Sequence, residues 1–308
     1  MASVLITGSR GFIASELALR LIEEGHELEG FDVYDGRDIR NLGQVKDAVK
    51  GKDAVFHLAA IADLNRSRVR PLETMDVNVK GTWNVATACQ ESGATLYFAS
   101  TCCVYGNQSV HPVSETRLPN PAEIYACSKL AAESVIKAFH FTYGLQYNLM
   151  RFATIYGPGT RPALATHIFM GQALRGENIT VHGDGKQTRT LTYISDLVDG
   201  IIALYNSGKV NDVWNLSAEE EISARQMAED IKRIACSQSF IVHTPQRVGQ
   251  TFKESISADK MRQEVGWEAK TDWRKGLAEM YDWYVSTNQV EHRYEMPTEA
   301  KVCGPVSG

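Results

Sequence analysis

Short apolar runs alternate with longer amphipathic stretches along the first half of the chain. Runs rich in β-branched and aromatic residues predict strands over residues 3–7, 26–32, 54–58, 94–99 and 145–152. Apolar positions recur at helical spacing over residues 11–24, 41–49, 71–91 and 125–143. The alternation predicts an α/β fold in which helices cover both faces of a parallel sheet.

The pattern becomes irregular after residue 155. A Gly-Pro-Gly turn at 157–159 is followed by a helical stretch over 167–175, then by short strands mixed with helices. This predicts a smaller lobe over the carboxyl edge of the sheet, where ligands of open α/β sheets bind. We expect a sheet domain over residues 1–155, to which some later segments return, a substrate-binding lobe over 156–290 and a loose tail over 291–308.

The composition of the 308-residue chain excludes several classes of protein. With 44% hydrophobic residues and a net charge of -5, it is globular in type and offers no general surface for nucleic acid. No apolar stretch has membrane-spanning length and no secretory signal is evident, so we expect a cytoplasmic protein. The six cysteines form no CxxC pair, so neither a metal site nor a disulfide framework is predicted.

A glycine-containing turn, ITGSRGFIA at residues 6–14, joins the first strand to the first helix. Gly8 permits a tight turn, and Gly11 lets a pyrophosphate approach the N–H groups at the helix N-terminus. This context predicts a Rossmann-type doubly wound sheet that binds a dinucleotide. The cofactor residues predicted in the turn are Gly8, Arg10, Gly11, Phe12 and Ile13.

Asp32 ends the second strand, where its carboxylate can accept hydrogen bonds from the adenosine ribose hydroxyls. A carboxylate there favours NAD over NADP, because it would repel a 2′-phosphate. Arg10 or Arg37 could meet such a phosphate, but we interpret both as solvated surface charges. The expected cofactor is therefore NAD.

Tyr125 and Lys129 stand four residues apart at the start of a predicted helix, so their side chains share one face. A nearby ammonium lowers the pKa of a phenol, which makes it a usable acid or base. Thr101, near the end of the preceding strand, could share the substrate proton with Tyr125. Tyr205 and Lys209 have the same spacing, but a helix stop separates them, and we interpret that pair as structural.

The chain resembles the extended short-chain dehydrogenase/reductase family, specifically its nucleotide-sugar epimerases and dehydratases. The likeness extends from Val4 to about Tyr284. The matching stretches are ITGSRGFIA (6–14), DIRN (38–41), HLAA (57–60), NVKGT (78–82), VYG (104–106), YACSK (125–129), RFATIYGP (151–158) and GDGKQTR (183–189).

This resemblance implies roles for further residues and for the assembly. Asp38 and Ile39 would hold the adenine, and Leu58, Ala59, Ala60, Asn78 and Phe152 would lie along the cofactor channel. Arg189 and Arg247 would grip the diphosphate of a nucleotide-diphosphate sugar, as suits arginine forks. Family members are homodimers that pair through helices here expected around residues 71–91 and 125–143.

The two residues after Thr101 bear on the reaction. In the family's 4,6-dehydratases these are Asp and Glu, and the UDP-glucuronate decarboxylases also keep the Glu; here they are Cys102 and Cys103. Elimination therefore lacks its acid and base, which favours a UDP-sugar 4-epimerase that works through a 4-keto intermediate. Thr154 and Arg161 could meet the hexose or its carboxylate.

Other interpretations stay open at this point. Cys103 matches the acid/base cysteine of GDP-mannose 3,5-epimerase and GDP-fucose synthase, with His167 as a candidate second group, so a GDP-sugar 3,5-epimerase is the alternative. Glu254 could tune substrate choice or be solvated. A catalytically silent NAD sensor is a remote alternative, because such proteins commonly lose the Tyr/Lys pair that this chain keeps.

Overall fold

A six-stranded parallel sheet forms the centre of the structure, a computed structural model that describes residues 1–246 and 252–287. The strands are β1 Ser3–Thr7, β2 Glu27–Phe31, β3 Ala54–His57, β4 Thr95–Thr101, β5 Tyr147–Phe152, β6 Thr154–Tyr156, β7 Ile179–His182, β8 Thr188–Tyr193, β9 Asp212–Leu216, β10 Glu221–Ser223, β11 Ile241–Thr244 and β12 Lys253–Glu254. The α-helices are α1 Phe12–Glu23, α2 Leu42–Val49, α3 Leu64–Val69, α4 Pro71–Met75, α5 Gly81–Ser92, α6 Ile124–Tyr143, α7 Ala165–Arg175, α8 Ile194–Asn206, α9 Ala224–Ile234, α10 Asp259–Val265 and α11 Trp273–Thr287.

The large sheet has the strand order β2-β1-β3-β4-β5-β9, and all its neighbouring strands are parallel. Every residue of β3 and β5 is buried, because helices cover both faces. Side chains of α1 and α8 belong to the core on one face, and those of α2, α5 and α6 to the core on the other. The predicted α/β fold is confirmed. The strand order reverses beside β1, where such sheets form a ligand crevice at their carboxyl ends.

A second, smaller sheet lies next to this crevice. Only Ala153 separates β5 of the large sheet from β6, which pairs with β8, and β8 also pairs with β10 and β12. β11 pairs with β7 in a separate two-stranded sheet. The apolar side chains of β1 and α1 belong to the same core as those of β8 and α11. One continuous core therefore supports both walls of the crevice.

Two elements differ from the sequence-based prediction. The helix predicted over 71–91 consists of α4, a π-helical segment Asp76–Lys80 and α5 in direct succession. β4 extends to Thr101, two residues beyond the predicted end, because Ser100 and Thr101 still pair with Arg151 and Phe152 of β5. The longer strand holds Thr101 at the carboxyl edge of the sheet.

Candidate active site

A cavity of about 730 Å³ lies at the carboxyl ends of β1, β3, β4 and β5, and residues of β8 and β12 contribute to its wall. Most residues predicted for the site line it. They are Gly8, Gly11, Phe12, Ile13, Leu58, Ala60, Thr101, Cys103, Tyr125, Lys129, Phe152, Thr154, Arg161 and Arg189. Residues from distant parts of the chain therefore meet in one cavity, which is large enough for small-molecule ligands.

The turn after β1 has the geometry that a dinucleotide requires. Gly8 has φ +70°, and a Cβ there would lie 2.8 Å from the Cα and N atoms of Ala59. Its own N–H donates to the carbonyl of Phe31 at 2.8 Å, which ties the turn to β2. Gly11 precedes α1, so the first N–H groups of this 12-residue helix can bind an anion at the cavity edge. The residues present fit a pyrophosphate.

Exchanging Gly8 for alanine is expected to weaken NAD binding at least about tenfold, because the added Cβ must displace either the turn or the backbone at Ala59. Gly25→Ala is the matched control, since Gly25 has φ +82° with nothing within 4 Å of an added Cβ. Both variants incur backbone strain, but only Gly8→Ala creates a clash. Calorimetric titration with NAD measures the difference, and equal affinities for the two variants would contradict the assigned role of Gly8.

Asp32 is buried beside the glycine turn, where it accepts hydrogen bonds from the backbone N–H groups of Arg10 and Tyr34, both at 3.0 Å. Arg10 itself forms an ion pair with Asp35. Arg37 binds Glu29 at 2.6 Å. Both arginines that could have met a 2′-phosphate are thus paired with carboxylates, which agrees with NAD as the cofactor.

Six residues predicted for the cofactor are not among the described residues that line the cavity: Arg10, Asp32, Asp38, Ile39, Ala59 and Asn78. Asp38 binds Arg40, and Ile39 is buried. Asn78 lies in the π-helical segment and is also buried; its side chain accepts from the N–H of Ile61 at 2.8 Å and donates to the Ser128 hydroxyl at 2.9 Å. Asn78 therefore positions Ile61, a lining residue, against α6.

Tyr125, Thr101 and Lys129 form the floor of the cavity. The Thr101 side chain lies close enough to the Tyr125 phenol to lower its pKa, and both residues line the cavity. One turn further along α6, the Lys129 Nζ donates to the carbonyl of Ala99 at 2.8 Å and lies 4.6 Å from the centroid of the Phe98 ring. The structure thus brings together the three side chains that the sequence singled out for proton transfer.

Burial is the main cause of the shifted pKa values at this floor. Burial raises the pKa of Tyr125, while Arg161 and the Thr101 side chain act in the opposite direction. Burial lowers the pKa of Lys129 to about 7, partly offset by the charge of Glu133. The Lys129 ammonium donates to the carbonyl of Ala99, and its effect on the phenol pKa stays a prediction. Arg161 is a cation that favours the phenolate.

A buried ion pair lies below Lys129. Arg151 donates to Glu133 through Nη2 at 2.6 Å and through Nε at 2.9 Å, and both side chains are almost fully buried. The Ser100 hydroxyl also donates to Glu133 at 2.5 Å. These bonds join the ends of β4 and β5 to the middle of α6. They fix the helix that carries Tyr125 and Lys129 against the sheet.

The two cysteines after Thr101 have different surroundings. Cys102 is buried, and its thiol donates to the carbonyl of Arg151 at 3.3 Å. Cys103 lines the cavity, and its N–H donates to the Thr101 Oγ1 at 3.2 Å. Burial, reinforced by the charge of Glu254, raises the pKa of Cys103 to about 11, and the pKa of Cys102 is also raised by burial. Both thiols are therefore protonated at neutral pH.

The part of the cavity wall formed by β6, β8 and β12 contains a cluster of polar side chains. Glu254 accepts a hydrogen bond from Thr154 at 3.2 Å and lies 3.8 Å from the Nε of Arg189. Arg161 also lines the cavity. Arg247, the second predicted diphosphate ligand, lies outside the described residues.

His167 is not among the described residues that line the cavity. Its ring packs 4.8 Å from the ring centroid of Tyr284, and burial lowers its pKa.

Some lining residues received no role from the sequence. The segment after β3 contributes Asp63, Asn65 and Arg66, and the wall near β8 contributes Gln187. Asp63 accepts from the N–H of Arg66 at 2.7 Å and so caps α3. A cap residue before a short polar stretch is a signal that could have located this helix.

The described side chains belong to residues 1–246 and 252–287. They contain no group of three or more His, Cys, Asp and Glu side chains arranged to hold a metal ion. Within the same ranges, no helix combines the length and apolar character needed to cross a membrane.

Comparison with known proteins places the chain in a family. The model of the NAD-dependent epimerase/dehydratase family matches residues 4–217. The chain therefore belongs to this family of NAD-dependent enzymes, and the resemblance to nucleotide-sugar epimerases and dehydratases is confirmed.

Individual relatives carry out different reactions. UDP-N-acetyl-alpha-D-glucosaminuronate decarboxylase of Bacillus cytotoxicus is 31% identical, over 91% of this chain and 97% of that protein. The structure of UDP-glucose 4-epimerase of Thermotoga maritima with UDP-glucose has a TM-score of 0.89 at 27% identity, covering 93% of this chain and 99% of that one. UDP-glucuronic acid 4-epimerase of Bacillus cereus, in complex with UDP-glucuronic acid and NAD, has a TM-score of 0.88 at 25% identity, covering 92% and 99%.

Proposed function

We propose that this enzyme inverts the configuration at C4 of the sugar in a UDP-sugar, through a transient 4-keto intermediate. The observation that carries the proposal is the composition of the cavity floor. Tyr125, Thr101 and Lys129 supply groups for moving a proton at the sugar 4-hydroxyl. The two positions after Thr101, which would serve an elimination, hold protonated thiols.

In the proposed reaction, Tyr125 first accepts a proton from the sugar and later returns it. Tyr125 takes the proton of the 4-hydroxyl, while Thr101 holds the phenol oxygen in place. NAD, when bound, would supply the hydride acceptor for C4 and would return that hydride to the opposite face of the ketone. Tyr125 then gives its proton back to the 4-oxygen, so that atoms and charge balance over one turnover. Tyr125 therefore acts as a phenolate before each turnover and is the neutral phenol while the 4-keto intermediate exists. Arg161 favours the phenolate form that takes the proton.

Arg189 and Arg247 are the proposed ligands of the substrate diphosphate, because guanidinium groups bind paired phosphate oxygens. Asp32 would hold the adenosine ribose of NAD. Asp38 and Ile39 remain proposed contacts of the adenine.

A second candidate is 3,5-epimerisation with Cys103 as acid/base, which its place in the cavity lining favours. Against this role, burial and the charge of Glu254 keep the thiol protonated. Decarboxylation, the activity named for the Bacillus cytotoxicus relative, would start from the same 4-keto intermediate on a uronic acid.

One experiment separates these reactions. The purified enzyme is incubated in deuterium oxide with UDP-glucose, UDP-glucuronate, UDP-N-acetylglucosamine or GDP-mannose, and the products are read by NMR. We expect a C4 epimer without deuterium, because the hydride returns from within the site. Deuterium at C3 or C5, or a pentose product, would overturn the 4-epimerase proposal.

We also propose that the enzyme works as a cytoplasmic homodimer. Helix α5 packs against α6, and these helices expose Trp83, Phe141 and Tyr143. Large exposed apolar side chains on adjacent helices suit a subunit interface. Cys89, Cys102, Cys103 and Cys127 are free thiols, which suits a reducing compartment. Light scattering of the purified protein measures the oligomeric state.

A further inference from the structure

Glu254 is a buried carboxylate in the wall of the cavity. It ends β12, which pairs with β8 so that Glu254 lies opposite Arg189, and its residue exposure is 7%. Two other acidic side chains line the cavity within the described residues: Asp63, which caps α3, and the partly exposed Glu123. A buried carboxylate is costly unless it has partners, so its position in a ligand cavity calls for a functional account.

Neighbouring side chains fill only part of the hydrogen-bonding capacity of the Glu254 carboxylate. Oε1 accepts from the Thr154 hydroxyl, and Oε2 faces the Arg189 guanidinium at 3.8 Å, beyond ordinary hydrogen-bond distance. An ionised carboxylate has about four acceptor positions. Glu254 therefore has capacity for a donor that comes from the ligand.

Its position links Glu254 to the reacting end of the cavity. Thr154, its hydrogen-bond partner, follows the end of β5 by two residues, and β5 pairs with β4 so that Phe152 lies opposite Thr101. Cys103 lies within electrostatic reach of Glu254, and the Cys103 N–H is bonded to the Thr101 side chain. Thr101 in turn lies close enough to Tyr125 to lower the phenol pKa. A sugar whose C4 faces Tyr125 would then have neighbouring ring substituents near Glu254.

We propose that Glu254 makes the enzyme selective for sugars with a hydrogen-bond donor at C6, such as a hydroxymethyl group, over uronic acids. This selectivity rests on the proposed C4 epimerisation. A C6 hydroxyl can donate to the open acceptor positions of Glu254. A C6 carboxylate would place a second negative charge in the same buried wall, where like charges repel strongly. Arg189 offsets this repulsion only in part, because it already faces Glu254 and the substrate also brings a diphosphate.

UDP-glucose and UDP-glucuronate form a matched ligand pair for the test, because they differ only at C6. The variant is Glu254→Gln, which keeps the size of the side chain and an acceptor for Thr154 but removes the charge. Glu221→Gln is the control, because Glu221 binds Thr188 of the same sheet and is not among the cavity residues. Dissociation constants are measured by calorimetry on the NAD-loaded proteins, with UDP as reference, and kcat/KM is measured for any ligand that reacts.

We expect the wild-type protein and Glu221→Gln to bind UDP-glucose at least about tenfold more tightly than UDP-glucuronate. In Glu254→Gln the ratio should fall to about threefold or less, mainly because UDP-glucuronate binds better. The kcat/KM values should likewise be higher for UDP-glucose than for UDP-glucuronate in the wild-type protein, with a smaller difference in Glu254→Gln.

Equal or tighter binding of UDP-glucuronate by the wild-type protein would overturn the selectivity, as would an unchanged ratio in Glu254→Gln or failure to bind either sugar. Failure of the proposed function would look different. No C4 epimer from either ligand would remove 4-epimerisation, while the ratio of dissociation constants would still decide the role of Glu254.

Discussion

Exchanging Tyr125 for phenylalanine is expected to lower kcat for C4 epimerisation by about 10²- to 10⁴-fold, the usual contribution of a positioned acid or base. The reason is that Tyr125, which lines the cavity together with Thr101, is the proposed proton acceptor at the 4-hydroxyl. Dissociation constants for NAD and UDP-sugar should change little, because the ring remains in place. Steady-state kinetics and calorimetry measure the two effects separately.

Tyr205→Phe is the matched control for this prediction. Tyr205 has the same i,i+4 relation to a lysine, but its ring packs against Phe56 and Tyr97, and Lys209 binds Glu264 at 3.3 Å. We expect Tyr205→Phe to keep near-normal kcat. A Tyr125→Phe enzyme with more than about a tenth of wild-type kcat would rule out Tyr125 as the principal acid/base.

Glu133→Gln is expected to lower the free energy of unfolding by about 3–5 kcal/mol, because it leaves the Arg151 guanidinium buried without its counter-charge. Arg151 and Glu133 are 3% and 1% exposed, so water cannot replace the lost partner. Ser100 loses its charged acceptor at the same time. Urea denaturation followed by circular dichroism measures the change.

The control is an ion pair of similar length on the surface. Lys46 and Glu91 lie 2.8 Å apart but are 40% and 48% exposed. Water and salt screen such a pair, so Glu91→Gln should cost less than about 1 kcal/mol. If Glu133→Gln lowered the free energy of unfolding by a similarly small amount, the buried pair would stabilise the packing of α6 against the sheet no more than a surface pair does.

Local pattern was sufficient for most of the central sheet. The apolar run at Ser3–Thr7 and the glycine turn after it lie where predicted, because both depend on residues close in the chain. The π-helical segment Asp76–Lys80 could not be read from periodicity, since the apolar spacing around it remains helical. Its formation accompanies hydrogen bonds between the Asn78 side chain and Ile61 and Ser128, which lie far along the chain.

The candidate site was predictable only in part, for a similar reason. Tyr125–Lys129 and Tyr205–Lys209 have the same spacing, and the fold decides which pair faces a cavity. The direction of the Lys129 ammonium depends on the carbonyl of Ala99, which spacing along a helix does not reveal. Glu254 and Thr154 are one hundred residues apart, so their hydrogen bond and the burial of that carboxylate appear only in three dimensions.

The continuous core beneath both walls of the crevice limits how new specificities could be engineered. Side chains of β1 and α1 pack in the same cluster as those of β8 and α11, so a segment grafted from a relative would meet mismatched partners throughout. Single substitutions on the cavity face avoid this problem because they leave the packed layer intact. The scaffold is therefore better suited to stepwise redesign of individual wall positions than to the exchange of whole segments.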